Sequence, residues 1–177
     1  MAEDSFEKFL QDQKNKLKES GNIHERKDAW IEQINVLYRK VSELLSPYTR
    51  SGVITTKRET ISIYEELLGR YDVPSLIIDF GPSRVHLNPI GTYLIGSPGR
   101  VDMVGLRSSV RIVLTPKDAV EPIIRITTGA SAHERVKSPA IKIQDFVWKI
   151  STNPPRIKYS EITESTLKKA LVEATNG

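Results

Sequence analysis

Four groups of side chains in this 177-residue sequence could do chemistry, and their spacing decides between them. Asp79, Asp102 and Glu121 fall at or near the ends of strand-like runs. Carboxylates converging near a lysine hold divalent metals in hydrolases and nucleases. None of the three is followed by the Glu-x-Lys spacing of such sites, and Asp102 lies near Arg100 and Arg111, the pattern of a cross-strand ion pair. The glycines at 91, 96 and 99 begin like a phosphate loop, but Ser97-Pro98 stands where Lys and Ser/Thr are required. The spacing Gly96-x-x-Gly99 opens no helix, so the dinucleotide fingerprint fails as well. His24, His86 and His133 are far apart, and none has a partner at metal-ligand spacing. No catalytic residue, cofactor site or metal site is assigned.

The arginines form the fourth group. Arg84, His86 and Asn88 alternate with Val85 and Leu87; Arg100 and Asp102 with Val101 and Met103. Arg111 sits between Val110 and Ile112, and Arg125 between Ile124 and Ile126. A period of two with one polar side marks half-buried antiparallel strands. If those strands are neighbours, Arg84, His86, Arg100, Arg111, Arg125 and Lys142 share a face suited to phosphate or to an acidic partner. Tyr93 is the only aromatic between Phe80 and Phe146, which argues against base stacking. The alternative use of such arginines is as cross-strand and edge gatekeepers.

The elements that must position these groups follow from period and punctuation. Residues 1–72 read as a helical segment: a helix carrying Phe6, Phe9, Leu10 and Leu17, a turn at Gly21-Asn22, and a second helix from about His24 to Ser46, ended by Pro47. Its stripe is Trp30, Ile34, Leu37, Val41 and Leu44, and the two helices form a hairpin. Phe6, Phe9, Leu10 and Trp30 are a second candidate interface wherever the sheet leaves them uncovered. Thr56-Lys57-Arg58-Glu59 fits a capping box, predicting a short third helix to about Gly69; the competing reading is a strand through Ile61-Ser62-Ile63-Tyr64.

From Val73 the period becomes two. Strands are expected at 75–80, 83–88, 92–96, 100–104, 109–114, 122–128 and 141–151. Turns at Gly81-Pro82, Asn88-Pro89, Ser97-Pro98-Gly99 and Thr115-Pro116 are too short for crossover helices, so the strands pair as a curved antiparallel meander. Residues 129–140 read as a mobile loop. The strand ending at Ser151 is apolar on both sides and predicts cover on two faces, by a helix on one of them. Asn153-Pro154-Pro155 stops it, and Thr163 caps a final helix carrying Leu167, Ala170 and Leu171, with Ile162 and Leu167 as its hydrophobic staple. The fold expected is α+β, with six or seven strands over 73–152 and a C-terminal helix in 153–177, all one cooperative domain.

Bulk properties bound the function. The net charge is +4, and the excess lies mainly in residues 71–150, with 10 basic and 7 acidic side chains. That is modest for a nucleic-acid domain. There is no cysteine, so disulfides and thiolate chemistry are excluded. No apolar run approaches membrane-spanning length, the N-terminus lacks a signal-peptide pattern, and the cytoplasm is the expected compartment. The expected function is a non-catalytic interaction module, an adaptor, accessory or inhibitory subunit, binding a protein partner without a cofactor. A homodimer, a nucleic-acid-binding component using the arginine face, and a metal-dependent hydrolase or nuclease are the alternatives.

Overall fold

The computed structural model describes the backbone of residues 2–66, 68–92, 98–122 and 146–176, and side chains from residue 24 onward. A long helix α1 (Ala2–Arg50) is followed by seven strands: β1 (Thr55–Glu65), β2 (Gly69–Asp79), β3 (Arg84–Gly91), β4 (Arg100–Val104), β5 (Ser109–Pro116), β6 (Phe146–Ser151) and β7 (Tyr159–Glu161). Helix α2 (Glu164–Asn176) closes the described chain. The strands form one sheet in sequence order, every pair antiparallel. The α+β meander expected from the short turns is therefore observed, at seven strands.

Two expectations about helices are overturned. The helical hairpin is instead a single helix running through Gly21-Asn22. One glycine in a helix costs only about 1 kcal/mol, and the flanking Lys, Glu, Gln and Leu favour the helix. Pro47 does not end it either; the last turn continues to Arg50, with the Ser46 carbonyl accepting bonds from Thr49 Oγ1 at 3.1 Å and Arg50 Nε at 3.3 Å. The third helix is strand β1, paired with β2 over its whole length without a register shift. Ile61, Tyr64 and Tyr71 fit a helical period, but Thr, Ile and Tyr also favour strands, and a neighbouring strand of equal length decides between them.

The strand at 100–104 lies where the sequence put it; β2 begins earlier, at Gly69, and β7 was not anticipated. The strands expected at 92–96 and 122–128, the loop at 129–140 and the first part of 141–151 fall mainly or wholly outside the described residues. Helix α2 starts as expected. Thr166 N donates to Thr163 Oγ1 at 3.2 Å and Thr163 N to Thr166 Oγ1 at 2.8 Å, a reciprocal cap. Ile162 and Leu167 are both buried beneath it.

The core lies between one face of the sheet and the two helices. Leu76 and Ile78 of β2, Val85 and Leu87 of β3, Val101 and Met103 of β4, Val110, Ile112 and Leu114 of β5, and Trp148 of β6 point into it. Helix α1 contributes Trp30, Ile34, Leu37, Tyr38, Val41 and Leu45: four of the five predicted stripe positions, with Tyr38 and Leu45 beside them and Leu44 only partly buried. The Trp30 and Trp148 rings lie 5.8 Å apart at 44°, and Trp148 Nε1 donates to the Gln33 carbonyl at 2.8 Å. Gly99 makes this possible, since a Cβ there would sit 2.4 Å from the Trp30 ring.

One break in the ladder organises the rest. β2 pairs with β3 only from Leu76 to Asp79. Before that point stands Pro74, which has no N–H to give. Buried positions on β2 switch there from Tyr71 and Val73 to Leu76 and Ile78, so the β1–β2 ribbon turns its other side to the core. The carbonyls at the break are satisfied by side chains. Tyr38 Oη reaches the Leu87 carbonyl at 2.8 Å and the Pro74 carbonyl at 3.1 Å, and Ser75 Oγ donates toward Leu87 O at 3.1 Å. Burial pushes the Tyr38 phenol well above its usual range, so it remains a donor at any ordinary pH. Tyr38→Phe keeps the ring and removes the donor, and should lower unfolding stability by about 1–2 kcal/mol. In urea unfolding this appears as a lower midpoint with an unchanged slope.

Candidate interaction surfaces

The outer face of the sheet carries the arginines. Cross-strand register pairs Asp79 with Arg84, Ile77 with His86, Asn88 with Asp102 and Asp102 with Arg111, while Arg100 lies two residues before Asp102. Opposed residues point to the same side of a sheet, so Arg84, His86, Arg100 and Arg111 share the face away from the helices. Arg125 and Lys142 lie outside the described residues.

These arginines do not present free charge uniformly. Arg84 Nε contacts Asp79 Oδ2 at 2.5 Å. Arg100 grips Asp102 with two bonds, Nε to Oδ1 at 2.6 Å and Nη2 to Oδ2 at 2.7 Å. Lys57 Nζ meets Glu59 Oε1 at 2.8 Å on the neighbouring part of β1. The titration behaviour follows the geometry. The Gly81 amide, and after it Arg84, hold the Asp79 carboxyl below its usual range. Lys57 lowers Glu59, with smaller pulls from His86 and Arg84 across the strands. Asp102 raises Arg100. The surface is a mosaic of opposed charges with Arg111 as an additional cation opposite Asp102, not a uniformly positive track.

The three candidate metal carboxylates are not brought together. Asp79 and Asp102 flank β3 at Arg84 and Asn88, four residues apart, or about 13 Å along the strand. Glu121 follows the residue whose carbonyl accepts from Tyr159 N, toward the β7 edge. Among the described residues no group of three His, Asp or Glu side chains could hold a metal.

Trp30, a candidate with Phe6, Phe9 and Leu10 for a helical interface wherever the sheet left them uncovered, is fully buried against Trp148. The sheet claims it because Gly99 leaves room for its ring. Phe6, Phe9 and Leu10 lie on α1 before the described side chains.

Three features escaped the sequence. Lys149, 4% exposed, sits on the outer side of β6 and donates to the carbonyls of Lys117 at 2.6 Å and Ala119 at 2.7 Å. It tacks the 116–120 turn over the outer side of β6, while α1 covers the Trp148 side as expected. At the ribbon tip, the Glu65 carboxylate accepts from the Tyr71 hydroxyl and from Thr92 N at 2.8 Å, while Arg26 Nη2 donates to Thr92 O at 3.0 Å. Burial first, and then Glu65, raise the Tyr71 phenol. Third, Leu45, Tyr48, Ile54, Phe80, Leu171 and Val172 line an open apolar groove of about 380 Å³ between the helices. None of these has a local signal, because each joins residues distant in sequence.

Comparison with protein-family models, with curated proteins and with solved structures gives no match. Among the described residues no helix is long and apolar enough to cross a membrane.

The Asp79 environment gives a direct check. Its carboxyl should titrate below the model-peptide value of about 3.9 by NMR, and Arg84→Gln should raise that midpoint only partly, because the Gly81 amide remains. A depressed folded-state pKa contributes stability that is present above the unfolded value and lost as pH falls through the folded one.

Proposed function

We propose that this chain is a non-catalytic protein-interaction module, an adaptor, accessory or inhibitory subunit of a cytoplasmic complex, with the first half of α1 as its docking element. The observation that carries this reading is a mismatch of lengths. Helix α1 has 49 residues, about 73 Å at 1.5 Å each. Among its described side chains, which begin at residue 24, those packed in the core run from Trp30 to Tyr48, about 27 Å. The 28 helical residues before Trp30 thus span about 42 Å. A lone helix of mixed charge is marginal in water unless a partner packs on it. Phe6, Phe9 and Leu10 lie at i, i+3 and i+4 within that half, the spacing of anchors that enter a groove.

The sheet's outer face supports a subordinate role for nucleic acid. Arg84 and Arg100 already bind carboxylates of their own chain, and a phosphate would have to displace those partners. For catalysis, the carboxylates nominated from the sequence stand too far apart to share paired metals, which sit about 4 Å from one another.

Capture from native cell extract by the full chain, with nuclease added, tests the reading. A protein partner should survive nuclease, and Phe9→Asp should weaken its capture by more than about tenfold, as for an aromatic hot spot, without shifting the unfolding midpoint. Recovery of nucleic acid alone, with affinity falling steeply with salt and weakened by Arg111→Ala, would replace this reading with the nucleic-acid one. Metal-stimulated hydrolysis lost in Asp102→Asn would replace it with the hydrolase.

A further inference from the structure

We infer that the paired ends of β1 and β2, residues 61–65 and 69–73, form a hinged strap that opens as a unit about Pro74 and is held shut by a Glu65 latch. This rests on the sheet alone and is independent of the α1 reading. The hinge follows from two prolines. β2 and β3 oppose Leu76 to Leu87, and two residues further along the same register Pro74 would oppose Pro89. Neither has an N–H to give, so no ladder bond can form between them. Past that level the strands run from Ile61 opposite Val73 to Glu65 opposite Gly69, and pair with no third strand among the described residues. A lone two-stranded ribbon is marginal in water, so other groups must hold it to the body.

Hinge and latch are both built from side chains. At the hinge, Tyr38 Oη donates to the carbonyls of Leu87 at 2.8 Å and Pro74 at 3.1 Å, which fixes the base of the strap to β3 and α1. At the tip, the Glu65 carboxylate accepts from Thr92 N at 2.8 Å and from Thr92 Oγ1 at 3.1 Å. The Tyr71 hydroxyl, on the strap itself, donates to the same carboxylate and orients it. Arg26 Nη2 holds the Thr92 carbonyl from α1 at 3.0 Å. Gly91 permits the approach, since a Cβ there would lie 2.9 Å from the Glu65 carboxyl. Thr92 is the residue that the broken register would set opposite Tyr71, five beyond Leu87 as Tyr71 is five before Leu76. The latch thus stands in for the ladder at its far end.

Little else binds the strap. Of its side chains only Tyr71 and Val73 are buried; Ile61 and Ile63 are partly covered, and Ser62, Tyr64, Arg70 and Asp72 are exposed. The buried residues from Leu76 to Leu114 belong to the body and keep their ladder when the strap lifts. Closure also leaves a donor unmet. Trp30 Nε1 is buried beside the Tyr71 phenol and makes no well-formed hydrogen bond among the described residues. An unmatched buried N–H favours the open strap, where water reaches it. Opening uncovers Tyr71 and Val73 beside Trp30 without unfolding the sheet, and regulatory movements are drawn from such low-stability units.

The chain has no cysteine, so single thiols report opening without background. Val73 lies on the strap side of Pro74 and Val85 in the body, buried to 1% and 0% exposure. With a small thiol reagent on the full chain, Val73→Cys should react about tenfold faster than Val85→Cys, at a rate little changed by low urea, because strap opening exposes little surface. Val85→Cys should wait for global unfolding and speed up steeply with urea. Glu65→Ala should speed the reaction at position 73 by about tenfold, and Tyr71→Phe, which keeps the ring, should act in the same direction. Ile112→Val weakens only the body; it should speed the reaction at 85 by about fivefold and leave that at 73 within about twofold. Equal rates at 73 and 85, or Ile112→Val acting on both alike, would show that strap and body open together and would overturn the inference. So would a rate at 73 indifferent to both Glu65→Ala and Tyr71→Phe. If Glu65→Ala does not fold, Tyr71→Phe and Ile112→Val decide between the same outcomes.

Discussion

The structure depends on how one tyrosine closes one gap. A meander is held by its ladder, and the ladder between β2 and β3 fails at Pro74, where a donor is missing. Helix α1 lies over that failure and supplies the Tyr38 hydroxyl to the carbonyls of Pro74 and Leu87. An unsatisfied buried carbonyl costs about 1–3 kcal/mol, so the contact weighs heavily against a net stability of only about 5–15 kcal/mol. It also fixes position. Once Tyr38 is seated, Trp30 meets Trp148 two turns earlier on the same helix, and Leu45 meets α2 two turns later. The apolar stripe supplies most of the burial, and Tyr38 defines where along the sheet the stripe sits.

The same gap shapes the surfaces. Beyond Pro74 the β1–β2 ribbon leaves the β3 ladder, packs Tyr71 and Val73 into the core, and is tied at its tip through Glu65, Tyr71 and Thr92. That leaves β1 as a long strand standing at the margin of the sheet, with its outer side uncovered. The helices occupy one face of the sheet, so the other is free to carry charge. There the arginines meet aspartates of their own chain.

Legibility from sequence tracks the range of the interaction. The alternation from Val85 to Ile112 was readable because an antiparallel strand writes its two environments into adjacent residues. Thr163 was readable because a cap is satisfied within three residues. The N-terminal hairpin was misread because Gly21-Asn22 is a turn signal only where tertiary structure needs a turn. β1 was misread because Ile61, Tyr64 and Tyr71 satisfy both periods, and only the partner strand distinguishes them. Trp30 could be placed on an apolar helix stripe able to pack on a helix or on the sheet, but the space for its ring is made by Gly99, 69 residues away. Lys149 gave no signal at all, as its partners are backbone carbonyls, which every residue has. The arginine face was largely legible: the alternation gave its side and the spacing gave the Asp102 pairing, while the Asp79–Arg84 pairing needed the register of the sheet.

The function we propose divides α1 in two: a second half integral to the core, and a first half offered as a docking element. Native-state amide hydrogen exchange on the purified full chain tests this most directly, because it reads opening free energy residue by residue. The account predicts that amides from Ile34 to Leu45 exchange as slowly as those of β3, β4 and β5, at the free energy of global unfolding, while amides from Phe6 to Leu17 exchange through local opening at much lower cost. Equal protection along the whole of α1 in a monomeric sample would contradict it.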